Sequence, residues 1–174
     1  MPDFQTDCGI IRANINGESV TVNLTDPQGL AMNKKISTSV GEKSVHFLDT
    51  GVPQAVLIVD NADQAMVEDL GSEIRYHDHF APVGTNVNFV QILESGHIRV
   101  RTFERGVGET LACGTGVAAG GMIAAHMNDW RSPVKVDVLG GDTLSVAFEW
   151  IYDKFTNVLL TGPAEFVYEG SVEV

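Results

Sequence analysis

Apolar and polar positions alternate with a period of two along most of the chain, the signature of half-buried strands. Runs rich in β-branched residues at 10–15, 20–24, 45–49 and 55–59 predict four of them, and Asn16-Gly17 between the first two predicts a hairpin turn. Residues 86–92 and 98–103 predict a second hairpin joined through Glu94-Ser95-Gly96. Past Pro133, runs at 134–138, 144–148, 158–160 and 165–168 follow, separated by Gly140-Gly141-Asp142, Asp153-Lys154 and Gly162-Pro163, which reads as an antiparallel meander. Residues 26–43 lack a clear pattern and are expected to form a long loop or boundary. The expected organisation is therefore a hairpin over 1–25 and a main lobe over 26–174.

Two segments follow a helical period instead. Residues 61–70 open on Asn61 and place Ala65, Met66, Leu70 and Ile74 on one face, which predicts an N-capped amphipathic surface helix. Residues 114–127, Gly-Thr-Gly-Val-Ala-Ala-Gly-Gly-Met-Ile-Ala-Ala-His-Met, carry no formal charge and no polar face. A helix apolar all round is buried, and its small residues require neighbours to approach closely. The fold class is α+β, with strands wrapped about a central helix.

Composition narrows the partners. The 174 residues are 44% hydrophobic, enough for a core, and the apolar runs are too short to cross a membrane. Eleven Lys and Arg against 23 Asp and Glu leave a net charge of -12, which repels nucleic acid and anionic membrane surfaces and leaves room for a small anionic ligand held locally. Met1-Pro2-Asp3-Phe4 does not resemble a secretory signal, and Cys8 and Cys113 read as reduced thiols, so a cytoplasmic location is expected. Glycine is in excess at 18 residues, six of them between Gly106 and Gly121.

That cluster contains the run Arg101-Thr102-Phe103-Glu104-Arg105-Gly106-Val107-Gly108-Glu109-Thr110-Leu111-Ala112-Cys113-Gly114-Thr115-Gly116. A strand ends in a charged pair, a glycine turn follows, and Cys113 stands at the start of the buried helix. Unpaired N–H groups and the positive dipole end of a helix favour a thiolate, so the thiol pKa is expected to be lowered, and the same groups favour a bound carboxylate. Free cysteines are often merely buried, but the convergence of Glu104, Arg105, the glycines and the helix start favours a reactive role for Cys113. Gly114 to Ala119 also fits G-x-G-x-x-A with Asp137 downstream, yet a strand meander is the wrong context for a dinucleotide fingerprint. His77-Asp78-His79 lacks a third metal ligand nearby and reads as polar loop.

The sequence Glu-Arg-Gly-x-Gly-Glu-Thr-x-Ala-Cys-Gly-Thr-Gly resembles the second-thiol motif of the diaminopimelate epimerases. Thr50-Gly51-Val52-Pro53, Arg75-Tyr76-His77 and Phe80-x-Pro82-x-Gly84-Thr85-Asn86-Val87-Asn88-Phe89 extend the resemblance over residues 50–169. It implies a diaminopimelate-epimerase-like mixed β-barrel around the central helix, here a single lobe plus an N-terminal hairpin. It also implies epimerisation of L,L-diaminopimelate to the meso form, in lysine and peptidoglycan biosynthesis, with neither cofactor nor metal. One cysteine thiolate removes the α-proton and a second thiol delivers one to the opposite face, as inversion through a planar carbanion demands.

Carried over by motif, Cys113 is one of that pair. Gly114 and Thr115 hold the α-carboxylate through backbone N–H groups, Glu104 holds the amino group, and Arg105 with Asn86 holds the distal end of the substrate. The family's Asn-Pro-His loop reads Val52-Pro53-Gln54 here, which makes Val52 and Gln54 further candidate contacts. The Cys-Gly-Asn-Gly motif of the family's other lobe is absent from the sequence, and Cys8 in Asp7-Cys8-Gly9 reads as structural. The expected partners are thus a small amino dicarboxylate and either a second copy of the chain or the missing N-terminal lobe, the chain being expected to be incomplete on its own. A non-catalytic lobe that captures a small carboxylate is the alternative.

Overall fold

The computed structural model describes residues 3–6 and 9–172; Cys8 lies outside them. The strands are β1 (Asp3–Thr6), β2 (Gly9–Asn16), β3 (Ser19–Asn23), β4 (Gln28–Thr38), β5 (Gly41–Asp49), β6 (Pro53–Ile58), β7 (Asn86–Glu94), β8 (His97–Glu104), β9 (Gly108–Thr110), β10 (Val134–Val138), β11 (Thr143–Ile151) and β12 (Lys154–Pro163). The helices are α1 (Val67–Arg75) and α2 (Gly114–Asn128). The strands form one sheet in the order β1-β2-β3-β12-β11-β10-β8-β7-β6-β5-β4, with β9 added to β8. Pairing is antiparallel except for β6 with β7 and β8 with β10. Those parallel pairs need crossovers, and the helices supply them: α1 between β6 and β7, α2 between β8 and β10.

The two helices lie on opposite faces of the sheet and organise two cores. Val90, Ile98, Val100, Val134, Val136, Val146, Phe155 and Val158 surround Val117, Met122 and Ile123 of α2. Val45, Ala55, Leu57, Val87, Phe89 and Phe103 pack against Val67, Leu70 and Ile74 of α1. Strands β6 to β8 are therefore buried on both faces, and each large apolar side chain there contributes roughly 1.5–3 kcal/mol. The sheet curls around α2 but, among the described residues, does not close: β1 and β4 are its ends. The expected barrel is an open sheet wrapped on a helix.

Glycines set how closely the wall meets that helix. A Cβ on Gly116 would lie 2.2 Å from Asn88 Oδ1, and one on Gly120 would lie 3.1 Å from Val90 and 3.3 Å from Val100. Two of the six clustered glycines, Gly116 and Gly120, thus form a packing seam between α2 and strands β7 and β8.

Three expectations change. Residues 26–43 are not a loop: β4 runs through them, but bulges at Gln28/Ala31 and Ala31/Lys34 and a left-handed Asn33 (φ 56°) scramble its alternation. Asn61 caps a single 3-10 turn, Ala62–Gln64, through a bond from Asp63 N, and α1 begins only at Val67. Residues 165–168 form no strand, pairing with none of the described strands, and Phe166, Val167 and Tyr168 are exposed.

Candidate active site

Strands β6, β7 and β8 lie side by side, and their period of two sends alternate side chains toward α2. On that inner face the residues far from the helix N-terminus are apolar: Val56, Val90, Ile98 and Val100. Near the N-terminus they turn polar, with Gln54 on β6, Asn86 and Asn88 on β7, and Thr102 and Glu104 on β8. Cys113 is delivered into this polar end as the N-cap of α2, its carbonyl accepting from Val117 N at 2.8 Å.

The Cys113 side chain is buried, and its sulfur is met from three sides. Asn86 Nδ2 lies 3.8 Å away, Thr115 Oγ1 lies 3.5 Å away, and the Glu104 carboxylate faces it from β8. Burial pushes the thiol above its ordinary pKa. Hydrogen bonds from the Thr115 hydroxyl and the Gly116 N–H oppose that, while the charge and acceptor character of Glu104 add to it. This reverses the expectation of a lowered pKa. The helix N-terminus does act on the sulfur through Gly116, but desolvation and the neighbouring carboxylate outweigh it. The sulfur has an acceptor, Glu104, suited to its S–H form and donors, Thr115 and Gly116, suited to its thiolate.

The remaining predicted residues are arranged around this centre. Glu104 accepts from Thr110 Oγ1 at 2.6 Å, which ties it to β9. Asn86 is buried, and its Oδ1 accepts from Arg105 N at 2.8 Å. The Arg105 guanidinium is exposed and donates to the Val83 carbonyl at 3.4 Å. Gly114 and Thr115 form the first turn of α2 and are half-buried. Val52 is half-buried in the turn before β6, where its carbonyl accepts from Thr50 N at 3.2 Å. Gln54 is fully buried, donating to Thr115 Oγ1 at 3.0 Å and accepting from Asn88 Nδ2 at 2.9 Å, so it stands behind the first turn of the helix.

Sequence reasoning missed Asn88, Thr102 and Thr110 as members of the cluster. Their signal was available: Asn86 and Asn88 are in phase on one face of an otherwise apolar strand, where a buried amide requires a partner. Arg101 and Glu109 also escaped notice. They form a bidentate pair with Arg101 Nη2 to Glu109 Oε2 at 2.7 Å, and Glu109 N donates to Glu68 Oε1 at 3.2 Å, which holds β9 between β8 and α1. His77 caps a 3-10 turn, Asp78–Phe80, that contains His79, its Nδ1 accepting from His79 N at 3.1 Å. Among the described residues no group of three or more His, Cys, Asp and Glu side chains could hold a metal ion.

The diaminopimelate epimerase family model matches residues 46–167, more than half of the chain. The chain belongs to the diaminopimelate epimerase family. It is 44% identical to the diaminopimelate epimerase of Hydrogenobaculum sp. (strain Y04AAS1) and 40% identical to that of Aquifex aeolicus (strain VF5). Each alignment covers 96% of this chain and 60% of the relative, so the chain spans about three-fifths of the length of those relatives. Among solved structures, a hydroxyproline epimerase from Agrobacterium vitis superposes with a TM-score of 0.72 at 19% identity, covering 96% of this chain and 58% of the other. A phenazine biosynthesis protein of the PhzF family from Bacillus anthracis gives 0.67 at 17%, covering 99% and 68%. These two share the fold of this family member. No described helix is long and apolar enough to cross a membrane.

Proposed function

We propose that this chain supplies one of the two thiols, and the binding groups around it, for cofactor-independent epimerisation of L,L-diaminopimelate to meso-diaminopimelate in the cytoplasm. The observation that carries this reading is the position of Cys113: a buried thiol at the N-cap of α2, flanked by both an acceptor and donors. A group that must hold a proton at one stage and release it at another needs that pairing.

In this reading the N–H groups of Gly114 and Thr115 receive the α-carboxylate, and the Glu104 carboxylate receives the amino group. Arg105 and Asn86 orient the distal end. Because burial raises its pKa, Cys113 starts as the protonated thiol. An opposing thiolate takes the α-hydrogen as a proton and leaves the electron pair on the α-carbon. The Cys113 S–H then gives its proton to the other face, and the sulfur keeps the S–H electron pair as a thiolate. The N–H groups at the helix start stabilise the developing charge.

The opposing thiol would come from the family's N-terminal lobe or from a second copy of the chain. Exposed apolar side chains near Cys113 support a surface made to be covered: Leu111 is 68% exposed and Leu139 43%, and Leu111 is bonded to the Leu139-Gly140 turn through Gly140 N at 2.9 Å. The raised thiol pKa also supports the alternative, a lobe that captures an amino dicarboxylate without reacting. The test is inversion of L,L-diaminopimelate by the chain, followed by chiral chromatography with the oligomeric state measured by light scattering. Inversion only in a paired state is expected. Enzyme-like inversion by a strict monomer would overturn the claim that one thiol is supplied from elsewhere.

A further inference from the structure

A file of neutral polar side chains runs behind the candidate sulfur, from β8 through β7 and β6 to α2. Thr102 Oγ1 is bonded to Asn88 Oδ1 at 2.8 Å, Asn88 Nδ2 to Gln54 Oε1 at 2.9 Å, Gln54 Nε2 to Thr115 Oγ1 at 3.0 Å, and Thr115 Oγ1 to Cys113 Sγ at 3.5 Å. Asn88 and Gln54 are fully inaccessible to solvent and Thr102 is 3% exposed.

Such a chain could in principle run in either direction, because amide ends and hydroxyl hydrogens are interchangeable. One contact removes the choice. The Asn88 group that meets Gln54 also meets the Ala55 carbonyl at 3.1 Å, and a peptide carbonyl can only accept. That group is therefore the Asn88 NH2. Its oxygen then faces Thr102, whose hydroxyl must donate. Gln54 presents its oxygen to Asn88 and hence its NH2 to Thr115. The Thr115 oxygen accepts that hydrogen bond, and its own hydrogen is free to point at Cys113.

We propose that Gln54 is a positioning residue: with its amide oriented by Asn88 and the Ala55 carbonyl, it holds Thr115 as a hydrogen-bond donor to the sulfur of Cys113. This rests on Cys113 being the reacting group, but it concerns the thiol and can be read without substrate. An amide suits the task because it does not titrate, so the direction of the file does not change with pH. The groups facing the sulfur are the Asn86 amide from β7, the Glu104 carboxylate from β8, and the Thr115 hydroxyl and Gly116 N–H of α2, whose first turn carries no acidic residue. Gly116 is part of the same arrangement, since a Cβ there would occupy the place of Asn88 Oδ1.

The test is the titration of Cys113 in the full chain, read from thiolate absorbance with the Cys113→Ser variant subtracted, for wild type, Gln54→Met, Thr115→Val and the double variant. Loss of an oriented donor to a charged sulfur is expected to move the midpoint upward by about one pH unit in each single variant. The double variant is expected to show no further movement, because both changes remove one interaction, and Gln54→His, which keeps a ring N–H donor, is expected to bring the midpoint most of the way back to the wild-type value. An unshifted Gln54→Met, or a double variant whose shift is the sum of the two, would overturn the proposal. If Gln54→Met does not fold, the isosteric Gln54→Glu takes its place in the same cycle. Its carboxylate would accept the Thr115 hydrogen and draw it off the sulfur. An effect that shrinks in the Thr115→Val background supports the relay, and one that persists undiminished overturns it.

Discussion

Replacing Gly116 by alanine adds one methyl group at the closest approach between α2 and the wall around it. The new Cβ would lie 2.2 Å from Asn88 Oδ1, 3.1 Å from Asn88 Cγ and 3.4 Å from Cys113 Sγ. Asn88 cannot rotate away cheaply, since it is fully buried and its amide is bonded to Thr102, Gln54 and the Ala55 carbonyl. Overpacking of this kind costs about 1–3 kcal/mol. A buried polar group stripped of its partner costs about 1–3 kcal/mol more. The helix-propensity gain of alanine over glycine offsets about 1 kcal/mol. The net destabilisation is about 1–5 kcal/mol, or a melting temperature lower by roughly 2–20 °C at this chain length.

Two other glycines of the same helix provide the internal scale. At Gly120 the Cβ would meet Val90 at 3.1 Å and Val100 at 3.3 Å, so a smaller loss is expected. At Gly121 it would meet Val146 at an ordinary 3.4 Å, and the alanine variant is expected to match the wild type or exceed it by up to about 1 kcal/mol. Thermal melts followed by circular dichroism, with urea unfolding as a check, should order the variants Gly116→Ala, Gly120→Ala, Gly121→Ala from least to most stable. A Gly116→Ala chain as stable as Gly121→Ala would refute the reasoning that the seam, and not glycine's conformational freedom, accounts for these residues.

Further outcomes are expected elsewhere. Phe89→Ala removes a ring that is 1% exposed in the core against α1 and should cost about 3–5 kcal/mol in urea unfolding. Arg101→Met leaves the half-buried Glu109 carboxylate without its bidentate partner and should cost about 1.5–3 kcal/mol, with Arg101→Lys recovering only part of it. Burial lowers the pKa of His46, whose Nδ1 accepts from Asn33 N at 3.3 Å. The folded state therefore binds fewer protons at this site than the unfolded state, so stability present above the unfolded histidine value near 6.5 is lost as pH falls toward the folded one. Melting temperatures measured from pH 7.5 to 5 should fall, and His46→Gln should flatten that slope. The Asp137 pKa is also low, because the hydrogen bonds of His97 and Thr143 and the charges of His97 and Arg99 outweigh the raising effect of burial; its stabilisation is lost at lower pH still, as the solution passes below the ordinary carboxylate range.

Legibility in the sequence followed how local each cause was. Strands β5 to β8 and the buried helix could be read because their alternation and composition report burial directly. Strand β4 could not, because two bulges and the left-handed Asn33 break the period that reveals a strand. Residues 165–168 failed in the opposite way: Glu-Phe-Val-Tyr has the alternation of a strand, but strandedness needs a neighbour, which local pattern does not encode. At the site, the motif located Cys113, Glu104 and Thr115. It could not supply the thiol's electrostatics, which depend on how deeply the sulfur is buried and on where the Glu104 carboxylate lies. Gln54 was visible as a departure from the family pattern, but its partnership with Asn88 and Thr115 spans three elements distant in sequence.

The central claim, that the N-cap thiol of α2 exchanges a proton with the α-carbon of an amino dicarboxylate, is tested most directly by deuterium incorporation. The chain, in the paired state that supplies the opposing thiol, is incubated with L,L- and meso-diaminopimelate in D2O at saturating concentration, alongside Cys113→Ser, and the α-proton signal is followed by NMR. Loss of the α-proton signal with the wild-type chain, abolished in Cys113→Ser, is the expected result. Binding without exchange, or exchange at the same rate in Cys113→Ser, would contradict it.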